Sequence, residues 1–329
     1  MASYTHSSQG TPGQSKLFLN PAALSPAGDR ANHTTFWRNP KVGNIYRNTE
    51  YITAPITQPL LDYCGLTKSK IASLDEPIEV LDMCCGAGVV SARIHEMLKA
   101  TGKGGKGLVR LTCSDSSGGQ IEHVRGRVKK DGWMDTTVVQ ADVARLPFES
   151  NSFDFIVVGM ALMVVAEPYA GLAAELYRVL KPGGRIASST WATEGWVCDT
   201  RDAVANFGIP GQQPVPWPQK SCHLTGLWSP GAWDDPYFAA AMYNASGLTE
   251  IKSEIVAKPI TFRDPEQFCT IFQALLTGTV ERYWSEEQKE KLRHKLKPVI
   301  VEYLGKKYGG EPFEIERSIV LVGGTKAKV

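Results

Sequence analysis

Three aspartates stand at or just beyond three strand-like runs, and the first of them precedes a glycine turn. The stretch Ile78-Glu79-Val80-Leu81-Asp82-Met83-Cys84-Cys85-Gly86-Ala87-Gly88-Val89-Val90-Ser91 reads as a buried strand, a tight turn and the start of a helix. An open α/β sheet presents nucleotide-like ligands at its carboxyl edge in this way. Asp82 bears on which ligand. A pyrophosphate is already doubly anionic and gains nothing from an acid at the strand end, whereas an ammonium group is held by one. The free N–H groups of the first helical turn suit a carboxylate on the same ligand.

S-adenosylmethionine (SAM) has that charge pattern: an ammonium, a sulfonium and one carboxylate. The other two acids fit its nucleoside half. Asp115 closes a second strand, Leu108–Ser114, where a carboxylate accepts from both ribose hydroxyls, as it would in NAD. Asp142 follows the strand Thr137–Gln140 in Ala141-Asp142-Val143-Ala144-Arg145-Leu146-Pro147-Phe148, placed to take the adenine amino hydrogens while the Val143 N–H reaches a ring nitrogen. Each residue also has a plainer reading. Gly86 and Gly88 serve a strand–helix turn in any doubly wound domain, and Asp115 and Asp142 are candidate helix N-caps. Joint order and spacing favour the cofactor.

The elements that position these residues alternate between strand and helix. A helix is expected over Val89–Leu98, then a Gly/Lys-rich connector, Thr101–Gly107. The run Ser152-Phe153-Asp154-Phe155-Ile156-Val157-Val158-Gly159 is a fourth strand, apolar enough to be a buried parallel element. A helix over Tyr169–Leu180 leads through Lys181-Pro182-Gly183-Gly184 to a fifth strand, Ile186–Thr190. Thr249–Ile260 and Phe313–Val322 read as strands six and seven, with helices Pro265–Leu276 and Ser285–Lys306 between them, the second kinked or interrupted near Pro298. Ser285 and Gln288 form a capping-box pair.

The motifs Leu81-Asp82-Met83-Cys84-Cys85-Gly86-Ala87-Gly88, Asp115, Asp142 with Leu146-Pro147-Phe148, Ser152-Phe153-Asp154 and Arg178-Val179-Leu180-Lys181-Pro182-Gly183-Gly184 together resemble a class I SAM-dependent methyltransferase. The resemblance is to the ubiquinone/menaquinone-biosynthesis type and covers roughly residues 76 to 191. Cys84 departs from it, standing where the family usually has glycine. The resemblance implies a Rossmann-like α/β fold: seven mostly parallel strands, helices on both faces, an antiparallel last strand, and N-terminal helices packed over the cofactor end. It implies that Asp82, Cys84, Gly86, Gly88, Asp115, Ser116, Gln120, Asp142, Val143, Gly159 and Met160 bind the cofactor. Met163, beyond strand four, is then a substrate-facing position. The aromatic insertion and polar N-terminal tail are similar to fungal secondary-metabolism enzymes.

Five segments follow: a mobile tail (1–34), an N-terminal helical cap (35–75), the SAM-binding core (76–191), an inserted substrate cap (192–247) and the completion of the sheet (248–329). The insertion draws notice because five of the eight tryptophans, Trp191, Trp196, Trp217, Trp228 and Trp233, fall within Trp191–Asn244 beside a proline cluster. A long irregular insertion of this kind reads as a lid or binding loop, and rigid indole rings bind flat apolar molecules well. Trp191, Trp196 and Trp228, with Tyr46 and Tyr51 from the N-terminal cap, are the candidate acceptor contacts; a mini-core or a dimer contact is the rival reading. For a base, His33, His223 and Asp234 are available, and His223 is preferred because it lies in the cap.

Bulk properties fit a soluble enzyme. Hydrophobic content of 43%, charged content of 21% and a net charge of +2 lack the basic block that nucleic acid or a membrane surface would require. The seven cysteines have no paired metal spacing, so a reduced, cytoplasmic protein without a metal is expected. No Asn/Asp-Pro-Pro-Tyr motif follows strand four and no Pro-Cys pair occurs, which disfavours amide or adenine nitrogen and cytosine C5 as methyl acceptors. A small-molecule acceptor remains, with oxygen, nitrogen, sulfur and carbon all open, and the oligomeric state open too. The rivals are an NAD-dependent oxidoreductase, a SAM-binding protein catalysing a non-methylating cyclisation or rearrangement, and a regulatory protein on the same fold.

Overall fold

The computed structural model describes residues 36–328, apart from the side chains of residues 225–227. The expected mobile tail and His33 lie outside the described residues. Seven strands form one sheet in the order β3-β2-β1-β4-β5-β9-β6. They are β1 Ile78–Met83, β2 Val109–Asp115, β3 Thr136–Gln140, β4 Phe153–Gly159, β5 Leu180–Glu194, β6 Leu248–Ala257 and β9 Arg317–Lys326. β1 to β5 pair in parallel, while β9 is antiparallel to both of its neighbours. Helices cover both faces, so the middles of the central strands are apolar: Val80, Leu81, Ile156, Val157 and Val158 are all fully buried. The sheet order reverses beside β1, which opens a crevice at the carboxyl ends of β1 and β4. No helix among the described residues is long and apolar enough to cross a membrane.

Several expected boundaries move, each for a visible reason. Strand six ends at Ala257, and Ile260–Phe262 forms a separate strand, β7, after Lys258-Pro259. β7 pairs with β8, Phe313–Ile315, so the expected strand seven also divides, with Glu316 between its parts. The expected helix Pro265–Leu276 breaks at Phe272 into Pro265–Ile271 and Gln273–Tyr283. There Phe272 is fully buried and stacks on Trp196, with ring centroids 5.0 Å apart. The last helix, Glu286–Tyr308, begins at the Ser285/Gln288 capping box, runs through Pro298 without interruption and stops at left-handed Gly309. β5 runs from Leu180 to Glu194, well beyond the expected core, because β9 pairs with it along most of that length.

The insertion is more regular than its prolines suggest. It holds helices Gly195–Ala203, Ser221–Trp228 and Pro236–Ala245. Its five tryptophans are all buried and belong to the same contiguous core as the sheet rather than to an open aromatic surface.

At the foot of the sheet, Glu194 from the end of β5 and Arg317 from the start of β9 are each only 1% exposed. Arg317 Nε donates to Glu194 Oε1 at 2.8 Å, and another guanidinium N–H donates to the Ile52 carbonyl at 2.5 Å. The Ser221 hydroxyl approaches the Glu194 backbone N–H at 2.8 Å. One ion pair therefore joins the sheet to the N-terminal helix Glu50–Cys64 and, through Ser221, to the insertion. Burial raises the Glu194 carboxyl above its ordinary value despite the guanidinium beside it. A pair of this kind costs desolvation but is costlier still to break on one side only. Arg317→Met should lower unfolding stability by about 3–5 kcal/mol, and Glu194→Leu/Arg317→Met should recover most of the loss. Urea denaturation decides: a double variant no more stable than the single one would show that the pair is more than a compensated burial.

Candidate functional site

The crevice is a cavity with about 1000 Å³ of atom-free space, open to solvent. Its floor is the loop after β1. The turn from strand to helix uses three left-handed residues, Cys84 (φ 58°), Gly86 (φ 52°) and Gly88 (φ 82°). Gly88 also has no room for a side chain, since a Cβ there would lie 3.2 Å from the Trp133 ring. Cys84 tolerates what glycine does freely, at the cost of local strain. Met160, at the end of β4, is a second non-glycine residue with positive φ (54°) in the same wall, its N–H held by Ser189.

Asp82 is 1% exposed. Its Oδ2 accepts from the Ser91 N–H at 3.1 Å and from the Ser91 hydroxyl at 2.6 Å, while Oδ1 has no partner among the described residues. Burial pushes its carboxyl up to about 7, with Asp115 adding to the effect and the Ser91 bonds opposing it. Asp115 bridges two loops: Oδ2 accepts from Gly86 N–H at 3.0 Å and Oδ1 from Ser117 N–H at 2.8 Å. Burial raises its carboxyl too. Beside it, Ser117 Oγ and Gln120 Oε1 are buried without partners among the described residues.

The structure brings Asp82, Cys84, Gly86, Asp115, Ser116, Gln120, Gly159, Met160 and Tyr46 into this one cavity wall. Gly88 sits behind the wall, in the turn. Asp142 and Val143 lie at its margin rather than in the lining. The Asp142 carboxylate is paired with Arg38 at 2.6 Å, both side chains being about half exposed, and it accepts from Ala144 N–H at 3.0 Å. Val143 is buried against Gly171.

The acceptor and base residues are placed differently from expectation. Tyr51 is 48% exposed and its hydroxyl donates to the Thr261 carbonyl. Met163 is fully buried beneath the turn Leu162–Val164, outside the lining. Trp196 stacks on Phe272, Trp191 is core on β5, and Trp228 packs against Phe36 and Trp37. None of these tryptophans lines the cavity, because each ring is packed into the core. His223 is exposed on the helix Ser221–Trp228, its Nδ1 accepting from Gln219 N–H at 3.4 Å, away from the lining. Asp234 does not line the cavity either.

The opposite wall comes from residues that the motifs did not mark. Thr49, Thr53, Ile56, Thr57 and Leu60 present one helical face, joined by Glu50, Trp37, Val164 and Val165. The spacing 49, 53, 56, 57, 60 is a helix stripe, a signal legible in the sequence once a helix is assumed there. The three threonine hydroxyls donate to carbonyls three or four residues back. Only their oxygen lone pairs therefore remain for the cavity. Arg127 ties this wall to the floor, donating to Glu50 Oε1 at 3.1 Å and to the Ala87 carbonyl at 2.9 Å.

This donor set fits SAM on its own chemistry: an unpartnered buried carboxylate oxygen for an ammonium, free helix-start N–H groups for a carboxylate, and Asp115 with two orphan side-chain oxygens for ribose hydroxyls. Asp82 then links binding to pH. Its ligand-free value near 7 lies above that of an unfolded carboxyl, so the stability of the ligand-free fold is full at low pH and is lost as pH rises through about 7. A cationic ligand favours the ionised form, so binding releases a proton from Asp82. SAM affinity should therefore rise with pH by up to about tenfold per unit between about pH 5.5 and 7, below the titration of an ordinary α-amino group. Asp82→Asn should flatten that profile and weaken binding about tenfold or more, yet melt higher than the parent at pH 8 without ligand. Calorimetric titration over pH and ligand-free melting curves check both; a parent profile that is flat from pH 5.5 to 7 would remove Asp82 as the ammonium partner.

Comparison with known proteins agrees with this geometry. Residues 80–184 match the model of a methyltransferase domain. The acetylaranotin bis-thiomethyltransferase of Aspergillus terreus is 24% identical over 85% of this chain and 93% of its own. A demethylmenaquinone methyltransferase of Listeria welshimeri is 31% identical over 36% of this chain and 47% of its own. Among solved structures, the YcgJ protein of Bacillus subtilis aligns over 82% of this chain and 99% of its own, with 17% identity and a TM-score of 0.47. The matched methyltransferase domain falls on the strands and loops that build the cavity, and with these relatives it supports a class I SAM-dependent methyltransferase.

Proposed function

We propose that the protein moves a methyl group from SAM to an apolar or aromatic small molecule of the natural-product kind, by in-line displacement. The observation that carries this reading is a single cavity lined by both chemistries. The cofactor-loop wall carries Asp82, Asp115, Ser117, Gln120 and Met160; the opposite wall carries apolar Ile56, Leu60, Val164 and Val165 beside Thr49, Thr53, Thr57 and Glu50. The fungal relative's name, a bis-thiomethyltransferase, supports a natural-product acceptor and puts sulfur among its possible nucleophiles.

SAM supplies a methyl carbon made electrophilic by the sulfonium, whose departure as a neutral thioether needs no acid. The protein's part is alignment and exclusion of water. The apolar wall desolvates the acceptor, and the carboxylates of the cofactor-loop wall fix the direction from which it approaches. Where the acceptor must lose a proton, His223 is too far out on the surface to take it. Among the described residues, the ionisable side chains lining the cavity outside the cofactor loops are Tyr46 and Glu50. Burial raises the Tyr46 phenol above its ordinary value, so it stays protonated. Glu50 is then the proton acceptor, held at Oε1 by Arg127.

Incubation with methyl-labelled SAM and a host extract tests the reading. Label should appear in a small apolar metabolite. Label in protein or nucleic acid alone would defeat it, and label that stays with the cofactor while SAM binds would replace transfer by a non-methylating or regulatory role for the same site. With the acceptor in hand, Glu50→Gln should lower kcat by roughly 10²-fold while leaving SAM affinity unchanged, with partial recovery at higher pH. His223→Ala should leave turnover as it was; loss of turnover in that variant would return the base to the insertion.

A further inference from the structure

Four side chains of the cavity wall carry a buried polar atom that no described residue satisfies: Asp82 Oδ1, Ser117 Oγ, Gln120 Oε1 and Trp37 Nε1. The first three belong to the cofactor loops. Trp37 does not. It stands before the helix Pro40–Tyr46, and its ring is clamped edge-on by Phe36 (5.2 Å, 86°), Tyr46 (5.4 Å, 82°) and Trp228 (5.3 Å, 60°). Trp228 is itself seated on Gly278, where a Cβ would lie 2.7 Å from its ring. The clamp leaves Trp37 little freedom to turn its N–H toward water or toward another carbonyl. An indole nitrogen only donates, and a buried donor left without an acceptor is unfavourable enough that most native structures avoid it.

We infer that the Trp37 indole N–H is the polar anchor of the acceptor site and selects an apolar acceptor bearing a hydrogen-bond-accepting oxygen. The inference rests on the methyl-transfer reading above. It gives a wall of Val164, Val165, Ile56 and Leu60, whose threonines donate their hydroxyl protons elsewhere, a fixed hydrogen-bond donor with which to orient its ligand. It also gives the insertion a role that its buried tryptophans otherwise lack. Trp228 acts on the acceptor through Trp37, so Trp228 is a positioning residue; the indole nitrogen is buried without a ligand, so the wall beside Trp37 must yield to admit the oxygen in place of the missing partner.

Two probes of one skeleton test this: 1-tetralone, whose ketone oxygen accepts but cannot donate, and tetralin, which lacks it. Full-length protein labelled with 15N-tryptophan and saturated with S-adenosylhomocysteine is titrated with each. The Trp37 indole resonance is identified by its loss in Trp37→Phe. Tetralone should move that resonance downfield and bind about three- to tenfold tighter than tetralin, the worth of one net hydrogen bond. Trp37→Phe should abolish the preference while keeping S-adenosylhomocysteine affinity. Equal binding of the two probes, a preference that survives Trp37→Phe, an unmoved Trp37 resonance, or binding of neither probe up to its solubility would each overturn the inference. The resonance shift is read on the parent protein, so a variant that folds poorly does not shield it. Failure of S-adenosylhomocysteine to bind at all would instead strike the methyl-transfer reading on which it stands.

Discussion

The buried carboxylate of Asp82 is the constraint around which the site is organised. One oxygen is held by Ser91 and the other is left without a partner, in a loop whose backbone must pass through three left-handed residues. Neither feature helps the ligand-free fold. On the proposed placement of SAM both would become favourable, because the orphan oxygen would gain its partner and the strained turn would hold helix-start N–H groups toward the same ligand. Stability elsewhere carries this local cost: the buried apolar residues of β1 and β4 hold the loop on both sides, and Asp115 fastens it to the next loop through Gly86.

What the sequence revealed and what it hid divide along a physical line. The cofactor half was legible because it depends on short-range pattern: Asp82 with Cys84, Gly86 and Gly88, and carboxylates at the ends of successive strands, fix a local geometry within a few residues. Asp115 illustrates the gain and its limit. It lies where the pattern put it, but its hold on Gly86, 29 positions away, is a tertiary bond that spacing does not predict. The acceptor half was largely hidden. His223 and the tryptophans of the insertion were attractive by residue type, yet indole rings serve a core as readily as a ligand, and only packing distinguishes the two. The stripe from Thr49 to Leu60 is an ordinary amphipathic face until the sheet is placed against it. Asp142 shows a third case: it follows β3 where the pattern put it, but lies outside the cavity lining and is engaged by Arg38 at a distance of 104 residues.

The split of the last two expected strands has a related cause. A pattern that reads as one strand cannot say which sheet it serves, and the break at Lys258-Pro259 sends Ile260–Phe262 to pair with Phe313–Ile315. That side sheet sits beside the cluster of Phe262, Phe268, Phe272 and Phe313. Through Phe272 the same cluster receives Trp196, so the insertion and the C-terminal segment share one core. The Glu194–Arg317 pair closes this arrangement from beneath, where β5, β9 and the helix Glu50–Cys64 converge.

The segment from Phe36 to Thr49 lines the crevice, and its polar fastenings come from distant parts of the chain. Arg38 meets Asp142 in a half-exposed ion pair, Arg47 donates to the Gly119 carbonyl, Gln120 reaches the Gly43 carbonyl at 3.4 Å, and Asn48 donates to the Thr270 carbonyl. Aromatic packing adds to them, since Trp37 sits among Phe36, Tyr46 and Trp228. The consequence concerns the order of assembly. The floor of the site is complete once β1, β2 and β4 have paired, whereas this wall also needs the insertion, through Trp228, and the C-terminal helices, through Thr270, to be in place. The crevice is therefore closed by the last parts of the chain to be made, and a defect far along the sequence reaches the ligand through Phe36 to Thr49.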